Sequence, residues 1–367
     1  MGMLGIAMSL LPTSACVSTA HRSQAVAGRE QEIRSLLDRD VPRLLTDNGV
    51  ASVSIAHIEA GRVVFAAAYG SQSPGVPATT KTLYNVASLT KPISAEVILR
   101  LASQDRLTLD EPMYRYWTDP DIANDERRKQ LTPRLALSHQ TGFPNWRRET
   151  GRVLTFKRAP GEAFGYSGEG YEYVARFAEK RVATDFEALA QRMVLDAIGM
   201  TDTAYTRRPW FDGRIAVPTD AQGKALEPAF ARRWIASDLL YSTPSDYAKF
   251  LLSVMHGDGV TAAIAHERSR VQVSEKAQMC SSAKAQGCPD EAGFGLGWEV
   301  FKFGEATYLM HTGNDEGVFT IGYVNLVDRT GTVIFTNSAN GPKIVLPILD
   351  RLRQNPVFVE FLRRQAG

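Results

Sequence analysis

The sequence is poor in cysteine, in histidine and in long apolar runs, and each shortage excludes a class of protein. Its 367 residues include 3 cysteines and 6 histidines. The histidines are scattered and form no HExxH pattern, so neither a metal nor another cofactor is predicted. Beyond the amino terminus, no apolar stretch approaches the roughly 20 residues that a membrane-spanning helix needs. Lys plus Arg number 42 against 40 acidic residues, which gives no reason to expect a nucleic acid as partner.

The amino terminus has features of an export leader. Residues 4–11 form a short apolar run, and small-x-small cleavage patterns follow at residues 18–20 and 25–27. No Lys or Arg precedes the run, which departs from the usual signal peptide. We predict a leader over residues 1–27 and a periplasmic or secreted protein, against the alternative of a leader with no targeting role. Small residues before Cys16 leave a lipid anchor open as a further possibility.

The two remaining cysteines, Cys280 and Cys288, flank a polar stretch that ends in glycine. In an oxidising compartment we expect them to form a disulfide that closes a small surface loop. Two free surface thiols are the alternative.

Hydrophobic periodicity places strands at both ends of the chain. Helical periodicity covers residues 29–46, and a hairpin of two strands follows at residues 50–58 and 62–69. Further strands are predicted at residues 297–303, 306–311, 319–325 and 332–337, and a final amphipathic helix begins at residue 343 and ends at residue 352 or beyond.

The middle of the chain carries helical patterns instead. These lie at residues 132–138, 170–180, 186–195 and 245–255. For the last helix, Thr243 is the predicted cap and Asp246 is placed to reach back to the amide of the cap. The predicted fold is therefore α+β, with an antiparallel sheet flanked by helices. The sheet is built from residues 28–109 and 258–367 of a single catalytic domain over residues 28–367, with an all-helical subdomain over residues 110–257.

Ser88 and Lys91 lie at the start of a predicted buried helix, three positions apart. Residues i and i+3 share a helix face, so Lys91 could take the proton of the Ser88 hydroxyl and activate it as a nucleophile. Lys91 must be neutral for this role, and burial against apolar neighbours favours the neutral form. By itself the pair is more typical of a helix cap followed by a solvated lysine.

A second motif, Tyr166-Ser167-Gly168, follows a Pro-Gly turn. Tyr166 could shuttle a proton between nucleophile and leaving group. A half-buried tyrosine in a turn would produce the same pattern.

A third motif, His311-Thr312-Gly313, stands at the end of a predicted strand. Gly313 would let the backbone of a ligand approach this strand. The amide of Asn314 could then join the amide of Ser88 in an oxyanion hole. A strand end with a glycine turn is the alternative interpretation.

In this order, the three motifs resemble those of the serine β-lactamase and penicillin-binding-protein superfamily. The closest resemblance is to its class C β-lactamase branch, which includes esterases and D-amino-acid-processing peptidases. Segments 135–144, 160–164, 195–204 and 241–246 resemble other landmarks of that branch, so the resemblance extends from residue 29 to about residue 352. It implies a β-lactamase/transpeptidase-like fold and acyl-enzyme chemistry without a metal.

The resemblance also implies individual roles. Ser88 would be acylated, and Lys91 and Tyr166 would share the proton transfers. The residues expected to bind substrate are Gly168, His311, Thr312 and Gly313, and the amides of Ser88 and Asn314 would form the oxyanion hole.

Two positions depart from a true class C β-lactamase. Gly168 stands where those enzymes carry an asparagine that helps to bind the acylamino side chain. His311 stands where they carry a lysine that pairs with the β-lactam carboxylate. A neutral imidazole holds an anion less firmly, although a protonated one could still help. Both departures favour an esterase or peptidase over an efficient β-lactamase.

We therefore predict a serine hydrolase of small carboxylic esters or amides, acting through a Ser88 acyl-enzyme on a small ester, amide or peptide. The alternatives are a D-stereospecific peptidase or DD-carboxypeptidase, a weak β-lactamase, and a non-catalytic penicillin-sensor-like binder. The presence of Ser88, Lys91 and Tyr166 together argues against the binder.

The sequence also suggests roles for Asp315, Glu316 and His139. Asp315 and Glu316 follow the third motif, where two carboxylates at the rim of the site could favour a cationic group such as a free amine. A solvated acidic turn is the alternative. His139 is expected to hydrogen-bond within its own loop.

Overall fold

The computed structural model describes residues 14–281 and 287–366, with side chains from residue 28 onward. The predicted leader over residues 1–27, with its cleavage patterns and the possible lipid anchor at Cys16, lies outside the residues whose side chains are described. Within the described part of the chain, no helix combines the length and the apolar character needed to cross a membrane.

The strands and α-helices have the following bounds. The strands are β1 Ser52–Glu59, β2 Arg62–Ser73, β3 Val76–Pro77, β4 Tyr84–Asn85, β5 Tyr241–Ser242, β6 Val273–Ser274, β7 Glu291–Phe294, β8 Glu299–Phe303, β9 Ala306–Asp315, β10 Val318–Asn325 and β11 Thr330–Thr336. The helices are α1 Ser14–Asn48, α2 Thr90–Ser103, α3 Pro133–Leu137, α4 Gly168–Val182, α5 Phe186–Ala190, α6 Pro244–His256, α7 Ala262–Ser269, α8 Lys276–Met279, α9 Pro342–Arg351 and α10 Pro356–Ala366.

A single antiparallel sheet unites strands from both ends of the chain. Its described strands follow the order β3-β2-β1-β11-β10-β9-β8-β7-β6. The register pairs Val53 with Thr336 across β1 and β11, and Ile321 with Ile334 across β10 and β11. The predicted α+β class and the sheet built from both chain ends are thus confirmed.

Helices cover both faces of this sheet. On one face, Leu37 of α1, Ile348 of α9 and Phe358 of α10 pack against strand residues such as Ile55. On the other face, α2 and α6 pack against strand residues such as Phe335. A fully buried Leu, Ile or Phe contributes roughly 1.5–3 kcal/mol to folding, so these two clusters hold the layers together.

Helix α2 lies at the centre of the molecule. Every residue from Thr90 to Leu101 is buried, as expected for a helix that is covered all round by protein. This burial fixes the first turn of α2, where Lys91 lies, in a rigid position.

The predicted strands are present, although their ends are shifted. The shift at the end of β9 matters most, because the added residues include His311's neighbours in the candidate active site. Strand β9 continues four residues past the predicted end at residue 311, because its pairing with β10 runs as far as Asp315 opposite Val318. The sequence pattern did not indicate α10 or the short elements α7, α8, β3, β4, β5, β6 and β7.

The segment over residues 110–257 is not entirely helical. Its strand β5 pairs with β4, so the prediction of an all-helical subdomain was wrong in this detail. The cap of α6 was also predicted only in part. The amide of Asp246 donates to Thr243 Oγ1 as expected. Its carboxylate instead accepts hydrogen bonds from the Asp202 amide and from Thr203 Oγ1, at 2.7 and 3.1 Å.

Cys280 and Cys288 form a disulfide with their Cα atoms 6.0 Å apart. Most of the loop that it closes lies in the gap between the two described ranges.

Candidate active site

Ser88 lies in a tight turn that connects β4 to α2. The preceding residue, Ala87, has a φ of +48°, a strained conformation for a residue with a side chain. The amide of Ala87 donates to Asn85 Oδ1 at 2.8 Å, and Thr320 Oγ1 of β10 donates to the Val86 carbonyl at 2.8 Å. Hydrogen bonds from two directions therefore hold the turn in this strained form.

Lys91 lies directly beside the Ser88 hydroxyl. Its Nζ is 2.9 Å from Ser88 Oγ and 2.9 Å from the carbonyl oxygen of Ser237. The same nitrogen is 4.8 Å from the centre of the Tyr166 ring, and the Lys91 side chain is fully buried. A base must be within hydrogen-bond reach of the proton that it removes, and this geometry meets that condition.

The Ser237 carbonyl is itself held in place. Glu172 of α4 accepts hydrogen bonds from the Ser237 amide at 3.0 Å and from Ser237 Oγ at 2.8 Å. Burial raises the pKa of the Glu172 carboxyl to about 7. Glu172 thus supports Lys91 through Ser237, a contact between distant parts of the chain that no local sequence motif indicates.

Tyr166 packs against His139. The two rings stack with centroids 4.3 Å apart, and Nδ1 of His139 accepts the Ser167 amide at 3.0 Å. Burial, followed by the charges of Lys91 and His311, lowers the pKa of His139 well below its usual value. The expectation that His139 bonds within its own loop was wrong, because it orients the loop that carries Tyr166.

Gly168 is the first residue of α4, and its surroundings explain the glycine. A Cβ at this position would lie 3.1 Å from the Asn145 carbonyl oxygen and 3.2 Å from the Trp146 ring. A side chain at this position would therefore require Asn145 and Trp146 to shift slightly. Both of these residues line the cavity in front of Ser88, whereas Gly168 does not.

The packing of the protein leaves no space for a side chain at Gly313. A Cβ there would lie 2.3 Å from both the Val86 carbonyl oxygen and Thr320 Oγ1. From the sequence, this glycine was expected to admit the approach of a ligand. The structure shows instead that the turn carrying Ser88 makes the close approach, and Gly313 does not line the cavity.

The edge of β9 forms one wall of the cavity. Strand β8 pairs with β9 only as far as Met310, so the residues that follow have no β8 neighbour. Four of them line the cavity beside Ser88: His311, Thr312, Asn314 and Asp315.

His311 is neutral at physiological pH. Burial, and then the charge of Lys91, lowers the pKa of its imidazole to about 3. With Nδ1 2.7 Å from the Thr312 carbonyl oxygen, the ring donates its proton there, and the buried Nε2 has no hydrogen-bond partner among the described residues. The structure therefore favours a neutral His311 near neutral pH over a protonated one that holds an anion.

These residues surround a cavity of about 510 Å³. Its lining consists of Ser88, Asn145, Trp146, Arg148, Tyr166, Ala229, Ile235, Asp238, Leu239, Glu299, His311, Thr312, Asn314 and Asp315. Asn145, Asp238 and Glu299 are polar residues that the sequence analysis did not connect with the site. Within residues 14–281 and 287–366, no group of His, Cys, Asp or Glu is placed to hold a metal ion.

Glu299 should make the protein less stable as the pH rises. Burial, and then the charge of Glu275, raises the pKa of the Glu299 carboxyl to about 8, above the usual value of ~4.3. Between these two values the folded protein binds more protons than the unfolded chain, so its free energy of unfolding falls with rising pH. Glu299→Gln should remove this loss. Its free energy of unfolding, compared with that of the wild type, should rise by about 1–3 kcal/mol between about pH 5 and about pH 9.

Urea denaturation at several pH values measures this difference. Glu305→Gln is the matched control, since Glu305 is exposed in the turn after β8. If the free energies of unfolding of the wild type and Glu299→Gln changed in parallel with pH, the raised pKa of Glu299 would be contradicted.

A serine hydrogen-bonded to a buried lysine, with a tyrosine beside it and a strand edge lining the cavity, is the arrangement expected of a serine hydrolase of the β-lactamase and penicillin-binding-protein fold. The chain belongs to the Beta-lactamase family, whose model matches residues 37–354.

Individual relatives are distant. The chain is 24% identical to the Escherichia coli (strain K12) D-alanyl-D-alanine-carboxypeptidase/endopeptidase AmpH, over 89% of this chain and 92% of AmpH. Among solved structures, it is similar to the D-alanine carboxypeptidase AmpC from Burkholderia cenocepacia, with a TM-score of 0.72, 18% identity and coverage of 88% and 99% of the two chains. A class C β-lactamase gives a TM-score of 0.73 at 15% identity, over 89% and 97% of the two chains. These structural similarities support the fold.

Proposed function

We propose that this serine hydrolase cleaves small carboxylic esters or amides through a covalent acyl-enzyme on Ser88. The observation that carries the proposal is the 2.9 Å contact between Lys91 Nζ and Ser88 Oγ at the cavity of about 510 Å³. A serine hydroxyl is a weak nucleophile without such a base. Here the base is held by burial and by the Ser237 carbonyl.

The proposed reaction has two steps. Lys91 takes the proton of Ser88 as Oγ attacks the substrate carbonyl, and the amides of Ser88 and Asn314 stabilise the resulting oxyanion. Tyr166 gives its phenolic proton to the leaving group as the bond between that group and the carbonyl carbon breaks, and Lys91 returns the Ser88 proton to Tyr166. A water molecule, deprotonated by the same groups, then attacks the ester carbonyl, and its proton passes to Ser88 Oγ as the acid is released.

Two features favour simple esters and amides over β-lactams. Neutral His311 supplies no positive charge for the β-lactam carboxylate. Gly168 offers no side-chain amide to bind an acylamino group, and Trp146 and the Asn145 backbone leave little room for one.

A D-alanyl-D-alanine carboxypeptidase is the second candidate. The similarity to AmpH, which spans 89% of this chain, favours this activity. The leader pattern and the disulfide between Cys280 and Cys288 support a periplasmic or secreted location, where peptidoglycan peptides would be accessible.

A panel of three substrates tests the proposal: a short-chain nitrophenyl ester, a chromogenic cephalosporin and a peptide ending in D-Ala-D-Ala. The wild type should hydrolyse the ester, and Ser88→Ala should lower the rate by about a thousandfold or more. Ser35→Ala, at an exposed position of α1, is the matched control and should behave as the wild type.

Each outcome decides between the candidates. Release of D-alanine faster than ester hydrolysis would favour the carboxypeptidase, and faster opening of the cephalosporin would favour a β-lactamase. Turnover of none of the three, together with no covalent adduct, would overturn the proposal in favour of a binding protein.

A further inference from the structure

Three acidic residues line the cavity. Burial favours the uncharged form of Glu299 near neutral pH, which leaves Asp238 and Asp315 as carboxylates close to the catalytic groups. Asp315 ends β9, two residues after Gly313, and Asp238 directly follows Ser237, whose carbonyl binds Lys91. Glu316, which the sequence analysis grouped with Asp315, is exposed and does not line the cavity. The structure thus separates these two neighbours and adds Asp238, which lies far away in the sequence.

Asp315 has a fixed position relative to Ser88. Asn85 Nδ2 donates to Asp315 Oδ2 at 3.1 Å, while Asn85 Oδ1 accepts the amide of Ala87 at 2.8 Å. One asparagine therefore joins the carboxylate to the turn that carries the nucleophile. A group bound by Asp315 would be held at a defined distance from the reacting carbonyl, which is what productive binding requires.

Neither carboxylate makes an ion pair with a described side chain. Asp315 accepts from Asn85 and from the Glu316 amide, and Asp238 accepts from the Leu239 amide. The basic residue of the lining, Arg148, instead stacks over the Trp146 ring at 5.6 Å. Since unpaired carboxylates at a partly desolvated site attract positive charge, the cavity is suited to a cation.

The negative charge of Asp315 acts on Asp238. Burial first, and then the charge of Asp315, raises the pKa of Asp238 to about 6, although Lys91 and Arg148 oppose the rise. The charge of Asp315 thus reaches Asp238, which places the two carboxylates in the same part of the cavity.

A third group in the lining, His311, has an acceptor atom without a hydrogen-bond donor among the described residues. His311 Nδ1 donates to the Thr312 carbonyl, which leaves Nε2 as a buried acceptor without a partner among the described residues. The cavity thus contains an imidazole acceptor and two carboxylates. A primary ammonium group, with three N–H donors and a positive charge, matches this set.

We propose that Asp238 and Asp315 form a cation-binding subsite that selects ester or amide substrates carrying a primary ammonium group, such as amino-acid amides. This inference rests on the proposed function of Ser88 and specifies its substrate class. Asp315 is the fixed element of the subsite, and Asp238 adds the second negative charge.

Matched substrates test the subsite directly. Alanine p-nitroanilide, as the D and the L enantiomer, is compared with its N-acetylated form near about pH 7, where an α-amino group is still largely protonated. For the preferred enantiomer, kcat/KM should be at least about tenfold higher with the free amine. Asp315→Asn and Asp238→Asn should each lower this ratio by about tenfold, mainly through KM. Glu316→Gln, which removes the same charge outside the cavity, should keep the wild-type ratio.

An inhibition measurement on the wild type avoids any dependence on the folding of the variants. Alanine amide should inhibit hydrolysis of a neutral nitrophenyl ester at least about tenfold more strongly than N-acetylalanine amide, and added salt should reduce the difference. Ratios near one in both assays, with Ser88-dependent ester hydrolysis intact, would overturn the subsite and leave the proposed function standing. If the wild type did not hydrolyse the ester at all, the proposed function itself would be refuted.

Discussion

Replacing Lys91 with methionine should lower kcat/KM for a short-chain nitrophenyl ester by about 10³-fold or more. Methionine keeps an unbranched side chain in the fully buried position of Lys91 but has no nitrogen to take the Ser88 proton. It also removes the hydrogen bond to the Ser237 carbonyl. Steady-state kinetics measures the loss, and thermal unfolding shows whether the variant is folded.

Two further variants separate catalysis from structure. Lys224→Met makes the same change at an exposed position and should retain wild-type activity. The double variant Ser88→Ala/Lys91→Met should be no slower than Ser88→Ala alone, because a nucleophile and its base act as a unit. A Lys91→Met enzyme within about tenfold of the wild type would show that another group is the base.

Gly313→Ala should lower kcat/KM by about 100-fold and the free energy of unfolding by about 1–3 kcal/mol. The added Cβ would lie 2.3 Å from the Val86 carbonyl oxygen and from Thr320 Oγ1, too close for either to remain in place. Since the turn from Val86 to Ser88 must then move, the nucleophile would lose its alignment with Lys91. Kinetics and urea denaturation measure the two effects separately.

Gly28→Ala provides the control for this change. Gly28 is exposed in α1, and a Cβ there would have no neighbour within 4 Å. It should keep wild-type activity and a similar or slightly higher stability, because alanine favours a helix over glycine. Wild-type kinetics in Gly313→Ala would mean that the turn tolerates displacement, and the positioning role of β9 would have to be abandoned.

Features that depend on neighbouring residues could be predicted from the sequence. The spacing of Ser88 and Lys91 placed both on one helix face, and their side chains are in contact. Apolar alternation located both strands of the first hairpin, because a half-buried strand has a period of two. The antiparallel sheet followed from strands at both ends of the chain.

Features that depend on distant contacts could not be predicted. Glu172 acts on Lys91 through Ser237, which lies 65 positions further along the chain. Asp238 enters the cavity only because this segment folds against α2, where the Leu240 amide donates to Thr90 Oγ1. No periodicity or motif marks either residue.

Gly168 and Gly313 show a second limit of prediction from the sequence. Their presence was noted from the sequence, but the reason for each depends on what lies next to it in space. Trp146 and Asn145 leave little room for a side chain at Gly168, and the turn that carries Ser88 leaves none at Gly313. A sequence motif shows that space is needed at a position without showing what occupies it.

The central claim is that Ser88 becomes covalently acylated. Intact-protein mass spectrometry of enzyme quenched during turnover of a slowly hydrolysed ester tests it most directly. The account predicts a mass increase of one acyl group, located by peptide mapping at Ser88, which disappears when the substrate is exhausted and is absent from Ser88→Ala. An adduct on another residue, or ester turnover that persists in Ser88→Ala, would contradict it.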